Sequence, residues 1–76
     1  MTATYATIPA LLATKTPFRH ASAHAYIETN GNYVVFSYST LIAGITPDGT
    51  KHLNENKYST TTSRLQNIIR KSWGLN

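Results

Sequence analysis

Two turn signals limit the fold of this chain more than any other feature. The Asn-Gly pair at 30–31 is typical of a type I′ hairpin turn, in which both central residues take positive φ angles. The Pro-Asp-Gly triplet at 47–49 suits a type I turn followed by a left-handed glycine. Between them lies YVVFSYSTLIAGI (33–45), which is rich in β-branched and aromatic residues. This stretch is long for one strand, so it predicts two strands joined by a tight turn near 37–40.

One further strand is expected on each side of this pair. From Ala23 the segment AHAYIE alternates apolar and polar residues, as a half-buried strand does. After the second turn, KHL at 51–53 is expected to form the last strand and to pair with the strand that precedes the turn. FRHASAH at 18–24 shows no clear period and is expected to be irregular, with a further helical turn as the alternative. The pattern therefore predicts an antiparallel meander of four short strands.

A helix is expected at each end of the chain. TIPALLATK at 7–15 has apolar residues at helical spacing and a proline in the first turn. At the other end, a helix is expected over residues 60–72. Its apolar residues recur at helical spacing, and the series continues to residue 73: Leu65, Ile68, Ile69 and Trp73. Ser59 or Thr60 can cap this helix, and Ser63 with Gln66 offers a capping box as an alternative start. Gly74 supplies the C-terminal stop.

The predicted fold class is α+β. We expect a single domain over residues 1–76, a four-stranded antiparallel meander flanked by an N-terminal and a C-terminal helix (α-β-β-β-β-α). Both helices should cover one face of the sheet and leave the other face open. A chain of 76 residues without cysteine has a thin core and no disulfide or thiolate metal site. No apolar run is long enough to span a bilayer and no signal peptide is evident, so a cytoplasmic location is expected.

The net charge of +4 lies entirely in the last twenty residues. Before Lys57, three basic and three acidic side chains cancel; from Lys57 onward there are four cations, Lys57 included, and no acidic side chain. Such a one-sided field favours an anionic partner, and a solvated helix face is the simpler alternative.

Five hydroxyl side chains at 59–63 precede the first arginine of the helix, more than capping requires. Free N–H groups at a helix start favour anions, so this segment and the basic arc behind it are the predicted anion or nucleic-acid site. Its candidate residues are Lys57, Thr61, Thr62, Ser63, Arg64, Asn67, Arg70 and Lys71. Gln66 and Asn67 are further expected to reach base edges.

Aromatic residues on the strands suggest a second surface. Successive residues of a strand point to opposite faces of the sheet, and bulky side chains in the 33–38 segment occur on both faces. The bulky side chains of one face are therefore expected on the open side, as a stacking or protein-binding platform. Tyr33 and Tyr38 are the candidate protein-binding residues. A homodimer through this face is an alternative.

No cofactor and no metal are expected. His20 and His24 have i, i+4 spacing, but no cysteine or carboxylate completes a zinc site. The one enzyme class retained as an alternative is a small metal-independent ribonuclease toxin, using His24 or His52 with Arg64 or Tyr58.

YVVFSYSTLIA (33–43) followed by KYSTTTSRLQNIIR (57–70) resembles a pattern in short uncharacterised bacteriophage proteins: SY-x-T-x-I-A, then KYS-x-TTS-x-x-Q-N. The resemblance implies a phage or prophage origin, and with it the cytoplasm of the host cell. The element order is similar to that of double-stranded-RNA-binding domains and HicA-type toxins, although their lysine and histidine motifs are missing.

The expected function is therefore a non-enzymatic phage-type accessory protein. It would bind a nucleic acid, or a host complex containing one, through the basic C-terminal helix, and one expected role is inhibition of CRISPR or another host defence system. A purely protein-binding inhibitor is the alternative.

Overall fold

A computed structural model describes residues 3–75 as two helices and one antiparallel sheet. The helices are α1 (Ile8–Ala13) and α2 (Thr60–Trp73). The strands are β1 (Phe18–His20), β2 (Ala23–Ile27), β3 (Tyr33–Ser37), β4 (Thr40–Ile45) and β5 (Lys51–Leu53). Neighbours in sequence are neighbours in the sheet, in the order β1-β2-β3-β4-β5. The predicted α+β meander between two helices is confirmed.

The sheet has five strands in residues 3–75, and the prediction of four was wrong. The additional strand, β1, lies in the stretch expected to be irregular. Phe18 pairs with Ala25, and its side chain is buried in the core. Three residues are too few to show a period, so β1 exists because β2 offers it a partner and the core takes up Phe18.

The two long hairpins share one turn geometry. At 28–32, the N–H of Gly31 donates to the carbonyl of Glu28 over 2.9 Å, and Gly31 alone has a positive φ, of 92°. This is a type I turn with a left-handed glycine after it, so the predicted type I′ turn was wrong although the hairpin is present. The turn at 46–50 has the predicted geometry, with Gly49 at φ 92°. The predicted break in the 33–45 run falls at Tyr38 and Ser39.

A bulge in β4 decides which side chains reach the core. Val35 pairs with Ala43 but Phe36 pairs with Leu41, so Ile42 is an extra residue and is fully buried. Leu41, an apolar residue of the same strand, instead lies with Phe36 on the face away from the helices and is 49% exposed.

Both helices cover the same face of the sheet, as predicted. Leu65, Ile69 and Trp73 of α2 join the core, while Ile68 is only partly buried against it. The indole N–H of Trp73 donates to the carbonyl of Leu12 over 3.2 Å and thereby joins α2 to α1. No helix within residues 3–75 is long and apolar enough to cross a bilayer.

The ends of α2 follow the sequence signals. The Ser59 hydroxyl accepts a hydrogen bond from the Thr62 N–H over 3.2 Å, which confirms one of the two predicted caps. Gly74 stops the helix with φ 70°.

Candidate functional site

One polar stripe runs along the outside of α2. Its members are spaced three or four residues apart and line a shallow groove of about 380 Å³ together with Ile68. We call this set the α2 stripe: Thr60, Ser63, Arg64, Asn67 and Lys71. Helix α2 contains no acidic side chain, so nothing on the helix itself neutralises Arg64 and Lys71. The stripe brings together four of the eight predicted anion-site residues.

Thr62 does not belong to this surface. Its side chain is 3% exposed, and its hydroxyl lies 2.9 Å from the buried hydroxyl of Ser37 on β3. The prediction that Thr62 meets an anion was wrong, because this position of the first turn faces the sheet. Gln66 is buried as well, and its amide donates to the carbonyls of Asn54 and Asn56. It is therefore not available to a base edge.

Arg70 differs from the other cations of α2. Its guanidinium donates to the Glu55 carboxylate over 2.7 Å and to the Asn67 side chain over 3.1 Å. Both partners of the ion pair are partly exposed, so the pair contributes little to stability. It does neutralise much of the charge that Arg70 would present to an anion.

Arg64 is positioned by an aromatic ring. Its guanidinium carbon lies 4.0 Å from the centre of the Tyr5 ring, which packs edge-on against the His20 ring at 4.5 Å. Among residues 3–75, no side chain accepts a hydrogen bond from Arg64. The ring holds the guanidinium over the stripe and leaves its N–H donors open to a ligand.

The helix start adds neutral donors. The Ser59 hydroxyl accepts a hydrogen bond from the N–H of Thr62, and the Ser59 carbonyl accepts one from the N–H of Ser63. The backbone N–H groups of Thr60 and Thr61 have no partner within the described part of the chain. Thr61 and Lys57 are exposed beside them. Free N–H groups, a hydroxyl and a cation thus converge at this end of α2.

Two cations on the helical side were missed by the sequence argument. Lys15 and Lys51 line a groove of about 310 Å³ next to Ser72 and Trp73 at the C-terminal end of α2. In the sequence argument both were counted among the three basic side chains of residues 1–56 that three acidic side chains cancel. No pattern in the sequence could have revealed that α1 and β5 bring them beside α2.

The open sheet face carries a different set of aromatic residues from the one predicted. Tyr33 is 1% exposed, and its hydroxyl donates to the carbonyl of Thr16 over 2.8 Å, so its assignment to a binding platform was wrong. Burial also raises the pKa of this phenol. Tyr38 is 65% exposed in the β3–β4 turn and remains accessible. The side chains that stand on the open face of β2 and β3 are His24, Tyr26, Val34 and Phe36.

The histidines are separated. His20 lies on the core side of β1, where its Nδ1 is 2.8 Å from the carbonyl of Ala3, whereas His24 and His52 lie on the open face. Arg64 is on the helical side, so neither His24 nor His52, the two histidines considered for a ribonuclease, is brought together with Arg64. No group of three potential metal ligands occurs in residues 3–75.

Comparison with known proteins adds a family but no activity. The model of a family of unknown function, DUF8033, matches residues 7–73, which include every helix and strand described above. No curated protein and no solved structure matches the chain.

Proposed function

The chain belongs to the DUF8033 family of unknown function, and we propose from its own surface that it is a non-enzymatic nucleic-acid-binding module. The phosphate backbone lies along the α2 stripe. The observation that carries this proposal is an exposed line of donors and cations on α2 with no acidic residue in that helix. Glu55, the nearest acidic partner of α2, is already paired with Arg70.

The dimensions of the stripe suit a backbone. From Thr60 to Lys71 the helix rises about 16 Å, which exceeds the spacing of neighbouring phosphates severalfold. Arg64 and Lys71 supply charge along this length, while Lys57 and the free N–H groups supply it at the helix start. Lys15 and Lys51 extend the positive field beyond the C-terminal end of α2.

Salt dependence tests the proposal. Three phosphate contacts, at Lys57, Arg64 and Lys71, should give a log–log slope of affinity against salt of roughly −2 to −3. The triple variant Lys57→Gln, Arg64→Gln, Lys71→Gln should bind weakly and lose most of this slope in fluorescence anisotropy titrations. The matched control, Arg19→Gln, has the same net charge as Arg64→Gln alone; it should keep the slope, whereas Arg64→Gln should reduce it by about one. Equal losses in the two variants, or no binding by wild type at low salt, would contradict the proposal.

The resemblance of residues 33–70 to short phage proteins supports a more specific version. In it the protein acts in the cytoplasm of a bacterial host, and the bound nucleic acid belongs to a defence complex that the protein inhibits. A pull-down from host lysate with and without nuclease tests this version. A complex that nuclease abolishes supports it, whereas a salt-tolerant complex that survives nuclease indicates a purely protein-binding inhibitor.

A further inference from the structure

A groove of about 430 Å³ crosses the open face of the sheet, on the opposite side from the α2 stripe. Gly44 of β4 forms its floor, because it stands between Val34 of β3 and His52 of β5 and carries no side chain. Phe36 and Leu41 close one end. This volume lies within the range of small-ligand sites in proteins.

Phe36 lines this groove. On the β2 side its ring packs against His24, with ring centres 5.3 Å apart, and Tyr26, with ring centres 6.0 Å apart. The three ring planes are parallel to within 4°. Neither His24 nor Tyr26 lines the groove, so they fix the orientation of Phe36 from behind. The wall of this groove, called the slot below, therefore contains an aromatic ring of fixed orientation.

The chemistry of the slot favours a flat ligand with a polar edge. Its walls are the Phe36 ring and aliphatic groups, and polar side chains stand around its rim: Glu28, Asn32 and His52. None of these three side chains makes a hydrogen bond within residues 3–75, so their donors and acceptors remain available. An unstacked nucleobase has this combination of an aromatic face and a hydrogen-bonding edge.

A continuous path joins the slot to the α2 stripe around the edge of the sheet. Asn54 lines the slot and donates a hydrogen bond to the Tyr58 hydroxyl over 2.9 Å. Tyr58 is 43% exposed, and its chain neighbour Lys57, three residues before the start of α2, is exposed as well. A strand that leaves the slot past Asn54 meets the Tyr58 ring and Lys57 before it reaches the N-terminal end of the stripe.

From this arrangement, which rests on the proposed function, we propose that the ligand is single-stranded and that one of its bases stacks on Phe36 over Gly44. A duplex supplies this base only at the cost of unstacking and unpairing it, whereas a single strand has its bases free. The α2 stripe accepts the backbone of either form, so the slot is what discriminates between them.

The test compares a mixed-sequence DNA strand of about twelve nucleotides with the matching duplex, because such a length covers typical single-strand sites. In anisotropy titrations, wild type should prefer the single strand, and Phe36→Leu should weaken single-strand binding about tenfold while leaving duplex binding unchanged. The matched control is Tyr38→Leu, which removes an exposed ring outside the slot and should bind as wild type does. In wild type itself, the Phe36 ring protons should shift with the single strand but not with the duplex, a readout that does not depend on the folding of a variant.

Three results would overturn this inference. Equal affinity for both strands, or wild-type binding by Phe36→Leu, means that no base uses the slot, while the proposed function survives if the stripe variants still lose binding. A dimer in sedimentation that Phe36→Leu dissociates, with oligonucleotide binding unaltered, means that a second copy of the chain occupies the slot. Absence of binding to either oligonucleotide removes both proposals together.

Discussion

The hydroxyl groups of Ser37 and Thr62 lie 2.9 Å apart in the interior and join the last residue of β3 to the first turn of α2. Ser59, the cap of α2, extends this contact, since its hydroxyl lies 3.2 Å from that of Thr62. A line of three hydroxyls therefore leads from the helix start to the sheet. The run of hydroxyls at 59–63 is thus divided: Ser59 and Thr62 hold the helix in place, and Thr60, Thr61 and Ser63 are left for the surface.

Removing the Thr62 hydroxyl should destabilise the protein without any ligand present. In Thr62→Val the buried Ser37 hydroxyl has no partner, so the free energy of unfolding should fall by roughly 1–3 kcal/mol in urea titrations. Thr61→Val is the matched control, because it makes the same change at an exposed position and should stay within about 0.5 kcal/mol. The double variant Ser37→Ala, Thr62→Val should lose less than the sum of the single changes, since neither hydroxyl is then left unpaired. Additive losses would show that the two hydroxyls are not coupled.

The cap of α2 should reside in one residue. Ser59→Ala removes the acceptor for the Thr62 N–H and should lower the free energy of unfolding by about 1 kcal/mol. Thr60→Ala leaves that bond intact and should change the melting temperature little. Thermal melts followed by circular dichroism distinguish the two variants. A larger fall in melting temperature for Thr60→Ala than for Ser59→Ala would mean that Thr60, and not Ser59, caps the helix.

Ile69 should dominate the docking of α2. It is fully buried among core residues, so Ile69→Ala should cost about 2–4 kcal/mol, a large share of the stability of so small a domain. Ile68→Ala is the neighbouring control and should cost clearly less, because Ile68 is only partly buried. If the two variants unfold at the same urea concentration, the helix docks by a different face from the one described.

Glu55 should lower the affinity of the protein for anions, because it pairs with Arg70. Lys71→Gln should reduce the salt slope of nucleic-acid binding by about one, whereas Arg70→Gln should reduce it less because Arg70 is already paired. Glu55→Gln releases Arg70 and should raise the affinity measured by anisotropy at low salt. A Glu55→Gln variant that binds more weakly would mean that the ion pair, and not the free cation, organises the surface.

Alkaline pH should unfold the protein through Tyr33. Burial raises the pKa of this phenol above its ordinary value of 10, so below about pH 10 it is protonated in both the folded and the unfolded state. Above that pH the unfolded state releases the proton first, so stability is lost as pH rises. Tyr33→Phe should be less stable at neutral pH by about 1 kcal/mol, because the carbonyl of Thr16 loses its donor, but its melting temperature should fall less steeply above pH 10. If the melting temperatures of the two proteins fall equally steeply above pH 10, groups other than Tyr33 cause the loss of stability at alkaline pH.

Some features of this protein were determined by local sequence. The phase of α2, its cap at Ser59 and its stop at Gly74 follow from residues within a few positions of each other. So does the turn at 46–50, where Asp48 accepts hydrogen bonds from the Thr46 hydroxyl and the Thr50 N–H that lower the pKa of its carboxyl to about 2. Side-chain spacing and turn chemistry act over such short distances, so they can be recognised without a fold.

The tertiary structure decided which members of each pattern are buried and which reach the surface. Five hydroxyls in a row look alike in sequence, but only contact with Ser37 on β3 buries Thr62. A bulge of one residue in β4 moved Leu41 from the core to the open face, where it closes the slot beside Phe36. The pairing of Arg70 with Glu55 and the approach of Lys15 and Lys51 to α2 likewise join residues far apart in the chain. Such contacts depend on register and on helix docking, which are set by burial of the whole core, and one segment alone carries no record of them.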